Sequence, residues 1–547
     1  METTKKQLTR TRPSFHLLMV LLIFGTALIG YVAVIWSGEI RGYEPSKIVA
    51  ARDLALLIPV LIAFFWLTRK QRFRGEMILL TAAVFLFTVG QLMQFRLFSD
   101  PEYGARGAAR TKAREAKAQT VRLLNVETGY DDEKKTFMFG SPGAVPATSG
   151  AQKLPVYEYT LTDILTSANT YIPIAALVAM GVCFRFFERD DFLLWLQRHA
   201  LIIGLATLIP FTIAVFVSSE GKFFGQTTPW EAVKVVFLVC FAGMLTDVYS
   251  HLRRTRWGLP PARYFIPFLV IAAMPVLPFF ALSDFGQMLV FFGVYLILYV
   301  VAVRKKAQLA YAVSLVAVLF LVFFGATKIS SGFGVPGRVY FRFYQWVHTW
   351  EAPPPDTWWW KHDFERYLAL KNLNIDPSDT QEIRQRNNEA WADKVLQQSQ
   401  GLFGINEGGV VGEGLGLGFP ETIPISDSDF IFAAQAEETG LVGGLGILIS
   451  LLTFVVAGST ISTAAPDMFT KLLAAGLTAF VGFQGLVNMG GVLRVLPMTG
   501  ITLPFVSHGG WSLITSFAML GVLLAISHRN SRRLVSVKSE EQFVPVN

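Results

Sequence analysis

Several acidic and basic side chains in this sequence stand at apolar boundaries, where their types and spacing could do chemistry. Asp429 closes the run Pro420-Glu421-Thr422-Ile423-Pro424-Ile425-Ser426-Asp427-Ser428-Asp429, just before a long apolar stretch that contains Glu437 and Glu438. By spacing alone Asp429 reads as a helix cap, a carboxylate accepting orphan N–H groups at the positive helix end. Glu437 and Glu438 sit about two turns further on, and ionisable groups in an apolar span are expected to face protein and to be paired or functional. Glu231 and Lys234 are three residues apart, which puts them on one helix face as an ion pair, with Pro229 suited to the helix start. That pair reads equally well as neutralised charge that fixes packing. Asp284 precedes another apolar span. With Lys234, Arg338, Arg342 and Arg494, these carboxylates would surround one outward-facing region. Such a region suits an anionic lipid headgroup, because Arg and Lys clamp phosphate while carboxylates manage protons.

The backbone between Asn488 and Gly510 adds a second constraint. Pro497, Gly500, Pro504, Gly509 and Gly510 forbid a continuous helix there, although long apolar segments flank it on both sides. Non-helical backbone at membrane depth survives only when buried in protein or lining a watered cavity. The stretch, with Asn488, Arg494, Thr499, Ser507 and His508 in it, is therefore expected to be a cavity wall.

The elements that must position these residues are membrane helices. The chain has 547 residues, 52% of them hydrophobic and only 16% charged, with a mean hydropathy of +0.45. A soluble domain would carry roughly a quarter charged residues. About twelve apolar blocks have the length that crosses a bilayer as helix: 16–36, 48–67, 76–95, 171–187, 199–219, 231–249, 265–282, 285–303, 309–326, 430–456, 472–493 and 511–527. The fold expected is all-α and polytopic, with two large external loops at about 96–165 and 327–429. With twelve spans, the basic loops Arg69–Arg74, His251–Arg263 and Arg304–Lys306 share one side with both termini, and the positive-inside rule makes that side cytoplasmic. The net charge of +8 is accounted for by these flanks, so nucleic-acid binding is unnecessary.

The first apolar block is too long for a secretory h-region and lacks a small-residue cleavage site, so it reads as a retained helix. Cys183 and Cys240 lie in apolar spans without metal spacing and read as small buried hydrophobes. In the external loops, helical patterning is expected around Ala108–Leu124 and over Thr380–Gln398, with turn-prone sequence from Gly140 to Gly150. Trp346, Trp350 and Trp358–Trp360 read either as headgroup-level anchors or as a substrate surface. There is no internal repeat.

Taken in order, four blocks resemble the SEDS family (shape, elongation, division and sporulation) of FtsW, RodA and SpoVE. Pro-Trp-Glu-Ala-Val-Lys at 229–234 is similar to that family's Pro-Ser-Glu-x-x-Lys, and Ser-Asp-Phe-Gly at 283–286 to its Pro-Asp-Leu-Gly. Gln398-Ser399 with Gly408, Gly409, Gly412 and Gly414 fits its Gln-Ser…Gly-Gly-x-x-Gly-x-Gly stretch. Asp429–Gly440 and Asn488–Gly510 complete the set. The resemblance covers about 171–530 and is strongest over 397–528. Trp230, Ser283 and His508 depart from the usual Ser, Pro and Tyr. The family usually has ten spans, which implies a SEDS-like core over 71–530, two additional helices within 1–70 and a cytoplasmic tail over 531–547.

The resemblance implies a peptidoglycan glycosyltransferase, an inverting hexosyltransferase that polymerises lipid II into β-1,4 glycan strands during cell division or elongation and releases undecaprenyl pyrophosphate. It implies that Asp429 is the general base and that Glu231 and Lys234 support or position substrate. It carries the same supporting role to Asp284, Arg338, Arg342, Gln398, Ser399, Glu437, Glu438, Asn488, Arg494, Pro497, Thr499, Gly500, Pro504, Ser507, His508, Gly509 and Gly510. A class B penicillin-binding protein is the implied transpeptidase partner, in the bacterial inner membrane. A divalent cation, Mg2+ or Mn2+, could bridge the pyrophosphate, although no metal-ligand motif specifies one, and no organic cofactor is expected. The rival readings are a lipid II flippase and a noncatalytic scaffold for a transpeptidase. An O-antigen-ligase-like sugar transferase is weaker, because 429–440 and 488–510 argue against it.

Overall fold

The computed structural model describes residues 13–42, 45–69, 75–100, 167–218, 230–253, 284–303, 335–371 and 378–542, with a few single positions between them. Among these residues every regular element is helical. In chain order they are α1 (Pro13–Arg41), α2 (Lys47–Arg69), α3 (Met77–Ser99), α4 (Ala168–Phe187), α5 (Asp190–Ser218), α6 (Trp230–Leu252) and α7 (Phe285–Val303). There follow α8 (Val335–Val347), α9 (Lys361–Leu370), α10 (Thr380–Gly408), α11 (Ile431–Ala464), α12 (Met468–Val492) and α13 (Gly510–Gln542).

Ten of the twelve expected apolar blocks are helices here, and the blocks 265–282 and 309–326 fall outside the described residues. Eight of the ten (α1, α3, α4, α6, α7, α11, α12 and α13) are long and apolar enough to cross a membrane. Their outward faces are greasy in the manner of a lipid-facing surface. Leu441, Leu445, Ile449, Leu452 and Val456 recur on the exposed side of α11, and Leu18, Leu21, Leu28 and Trp36 on that of α1. The bundle is organised around α12, which packs against α6, α7, α11 and α13; α4 lies along α13, and α3 is sandwiched between α1 and α11.

Two departures from sequence expectation bear on the site. The 430–456 block is not one straight helix: α11 breaks at Gly440 (φ 64°, ψ −165°), so Ile431–Thr439 forms a short buried segment and the lipid-facing run begins at Leu441. Glu437 and Glu438 therefore end that short segment rather than lying deep in a continuous span. Only glycine enters this backbone region freely. The break lets loop backbone dock, with Glu413 and Gly414 N–H donating to the Glu437 and Glu438 carbonyls, and Leu441 N–H to Gly409 O. A Cβ at Gly412 would lie 2.2 Å from Glu438 O, which explains a glycine at that place in the Gly-rich stretch.

The second departure is that α3 continues to Ser99, so Arg96, expected at the start of an external loop, is a buried helical residue. Of the helices expected in the loops, Thr380–Gln398 is found within the longer α10, and Ala108–Leu124 lies outside the described residues. The loop tryptophans divide. Trp360 and Trp391 form a small separate core with Phe364, Ala390 and Val395, tied by Trp360 Nε1–H to Asn387 and Trp391 Nε1–H to the Thr349 carbonyl. Trp350 stays exposed and stacks on Phe403.

Candidate active site

Asp429 sits at the end of the loop that enters α11, against the non-helical connection from α12 to α13. It does not cap the helix: the cap position is Phe430, and no side chain caps there. Instead it lines a small, partly open pocket with Phe430, Asn488, Gly491, Val492 and Met498–Ile501. Gly500, on the same wall, has φ 70°, a left-handed backbone conformation that glycine adopts freely.

The loop backbone is pinned by the 488–510 stretch. Asn488 Nδ2 donates to the carbonyls of Asp429 (2.8 Å) and Ile501 (2.6 Å), joining the two walls of the pocket through one amide. Ser507 Oγ donates to Ser428 O at 2.6 Å while accepting from Leu503 N–H, and His508 N–H donates to Asp427 O at 2.9 Å. His508 Nδ1 also meets Gln94 Oε1 of α3 at 3.0 Å, and Tyr103 OH donates to the Asp427 carboxylate at 2.5 Å. Pro497 and Pro504 are buried within this wall, and Gly509 and Gly510 pass closely by Thr502 and Ile172 before α13 begins.

Burial raises the Asp429 carboxyl to about 7, and the neighbouring Asp427 charge adds to the effect; its own backbone N–H, the Gln397 amide and the Arg342 charge oppose it. A group poised near neutrality is suited to take a proton. Burial likewise lowers the His508 imidazole below its usual range, partly offset by Asp427.

Arg342 of α8 connects Asp429 to the second acidic site. Its Nη1 donates to Thr499 O at 3.1 Å, and its charge acts on both Asp429 and Asp284. Asp284 Oδ1 accepts from Gln287 N–H at the start of α7; burial pushes its carboxyl up, opposed by that bond and then by Arg342 and Lys234. Lys234 donates to Glu231 Oε1 at 2.6 Å and is fully buried, with the Phe480 ring 5.3 Å away. The expected ion pair thus exists as an internal, desolvated charge pair. Arg494 is held by α8, its Nε and Nη2 donating to Trp346 O and Val347 O while Trp346 Nε1–H donates to Arg494 O. Arg338 also belongs to α8, but its side chain is outside the described residues.

Other expected site residues stand apart from the pocket. Glu438 accepts from Arg96 Nε at 2.7 Å; Arg96 also reaches Glu421 (3.1 Å) and Gly418 O (3.0 Å), and Arg41 of α1 pairs with Glu421 at 3.4 Å. Glu437 accepts from Phe419 N–H at 2.5 Å. These bonds organise the loop that leads to Asp429. Gln398 and Ser399 are buried in α10, where Ser399 Oγ donates to Val395 O. Sequence reasoning missed Gln397, whose amide contacts Asp429, and Arg96; an arginine at the end of an otherwise apolar block was the available signal for the latter.

A family model for the FtsW, RodA and SpoVE cell cycle proteins matches residues 381–532. Over these residues the chain is similar to the FtsW, RodA and SpoVE proteins. The FtsW/RodA/SpoVE segment holds α10 to α12, most of α13 and every residue lining the Asp429 pocket. The chain is 44% identical over 135 residues to the peptidoglycan glycosyltransferase RodA of Mycobacterium tuberculosis H37Rv, an alignment covering 25% of this chain and 29% of that protein. It is 37% identical over 142 residues to stage V sporulation protein E of Bacillus subtilis 168, covering 25% and 39% respectively. Such alignments span well under half the length of those relatives. Among solved structures, a peptidoglycan synthase complex matches at a TM-score of 0.38 with 20% identity, covering 66% of this chain and 97% of that one. RodA of Thermus thermophilus matches at 0.30, with 20% identity over 66% and 95%.

Proposed function

We propose that this protein is a peptidoglycan glycosyltransferase that polymerises lipid II, with Asp429 as the general base. The observation that carries this reading is the Asp429 carboxyl, raised to about 7 and lining a pocket built wholly from the FtsW/RodA/SpoVE segment. In the proposed step the carboxylate takes the proton of an acceptor 4-hydroxyl as that oxygen attacks the donor's anomeric carbon. The C–O bond to the lipid diphosphate breaks with inversion, and the diphosphate leaves with the bonding pair. Arg342 is the cation closest in function to the leaving group, since its charge already acts across Asp429 and Asp284. Among the described residues no group of three or more His, Cys, Asp or Glu could hold a metal ion. We propose separately that a Mg2+ or Mn2+ ion would be carried by the substrate's own diphosphate.

The pocket is read as facing the outside of the inner membrane. Arg529 and Arg533 pair with Asp190, and Arg529 with Asp467, the cap of α12, so these arginines mark one end of the bundle. Asn488, on the pocket, is twenty-one residues further along α12, about 30 Å away by helical rise. The positive-inside rule places the arginine end, with both termini, in the cytoplasm. A class B penicillin-binding protein is the proposed partner.

The test is product analysis with purified protein in liposomes containing fluorescent lipid II. Glycan strands made by wild type and abolished by Asp429→Ala support the enzyme. Headgroup translocation without polymer would replace it with a flippase, and neither activity, alone or with a transpeptidase, would leave a scaffold.

A further inference from the structure

Gln397 of α10 precedes the Gln398-Ser399 pair and takes no part in the sequence motif, yet it makes the side-chain contact with the Asp429 carboxylate. Its Nε2 lies 3.1 Å from Pro424 O and 3.3 and 3.4 Å from Asp429 Oδ2 and Oδ1. A carbonyl and a carboxylate only accept, so the amide must turn its two N–H groups towards both, whichever way it is first assigned. One side chain therefore bridges the start and the end of the Pro424–Asp429 turn. That turn is a strained one, with Ile425 at φ 59° and Ser428 N–H closing onto Ile425 O at 3.1 Å. Asn488, Ser507 and His508 hold the same turn by its backbone, from the other wall of the pocket. They fix where the residue sits, whereas the carboxyl group itself can still rotate about χ1 and χ2.

We infer that Gln397 is a positioning residue for the proposed reaction: it holds the Asp429 carboxyl in the rotamer that faces the pocket and keeps it an acceptor, ready to receive the proton of the incoming hydroxyl. The inference rests on the reading of Asp429 as base. A donor hydrogen-bonded to a carboxylate favours the charged form over the acid, the same direction in which Gln397 already acts on Asp429. Gln397 thus offsets part of the burial that raises this carboxyl.

The test is the pH profile of lipid II polymerisation by full-length Gln397→Leu and by Gln397→Glu, which keeps the shape and replaces the donor with an acceptor. Both should show a lower kcat with little change in KM. Their acidic limb should move to higher pH, for a one-unit move a loss of about tenfold at pH 6 that is largely recovered by pH 9. The limb should move further for Gln397→Glu, whose charge lies beside Asp429. A wild-type limb and kcat in either folded variant would overturn the inference, as would a uniform loss at every pH with the limb unmoved. Asp429→Asn run alongside separates the two claims. If it keeps full activity the base reading fails; if it is inactive while the Gln397 limb stays put, only the role of Gln397 fails.

Discussion

Replacing Arg96 by Met should destabilise the end of the bundle that carries the Asp429 loop. Arg96 is wholly buried and serves Glu438 at 2.7 Å, Glu421 at 3.1 Å and the Gly418 carbonyl at 3.0 Å. Methionine fills much of the stem volume but leaves Glu438 and Glu421 without their cation, and takes it from Asp100 at 3.9 Å as well. Breaking a buried pair in this way costs about 3–5 kcal/mol, against a total stability of about 5–15 kcal/mol for a typical fold. Arg41 at 3.4 Å can soften the loss at Glu421, whereas Glu438 is paired to Arg96 itself. Removing the charges together should be far milder, because buried ion pairs are often near neutral against apolar or uncharged replacements. The prediction is a marked fall in Tm for Arg96→Met and recovery of most of it in Arg96→Met/Glu438→Gln/Glu421→Gln. A thiol-reactive dye can follow unfolding in detergent, since Cys240 is buried and Cys183 half-buried. A wild-type Tm for Arg96→Met would refute the reasoning, as would carboxamide changes that simply add their own losses.

Three further outcomes follow from the site. With Asp429 raised to about 7, kcat/KM for polymerisation should climb with an acidic limb near that pH, the base form being about a tenth at pH 6 and roughly nine-tenths at pH 8. The same shift makes the protonated carboxyl the favoured folded form. Its contribution to stability is therefore present below about pH 4 and lost between about 4 and 7. Asp429→Asn should accordingly gain Tm relative to wild type at pH 8 more than at pH 5, and an equal difference at both would contradict the shift. Lys234→Ala should lower Tm and abolish activity by stranding Glu231, whose 2.6 Å partner it removes, and adding Glu231→Gln should restore folding; full activity in Lys234→Ala at normal expression would take the pair out of the mechanism.

The helical membrane architecture was legible because its signal is local. Twenty-residue apolar blocks need no knowledge of their partners, and the prolines and glycines of 488–510 forbid helix wherever they fall. The Glu231–Lys234 pair was legible for the same reason, being set by helical spacing. What stayed hidden depends on chain crossings. Nothing local to Gln397 indicates that Pro424 and Asp429 will fold over its amide, thirty-two residues away in sequence. Nor does the Arg96 sequence reveal carboxylates more than three hundred residues later. Asp429 looked like a cap because caps are the common fate of such residues. The turn instead delivers Phe430 to the cap position and frees the carboxyl for the pocket. The break at Gly440 was likewise masked by apolar residues on both sides, which read as one span.

The most direct measurement is kcat/KM for lipid II polymerisation by Asp429→Asn and wild type at pH 8, on preparations in which the variant unfolds at no lower temperature than wild type. A general base withdrawn from its pocket should cost about 10²–10⁴-fold, with KM for lipid II little changed. A variant within a few-fold of wild type would show that the proton leaves by another route and that Asp429 is not the base.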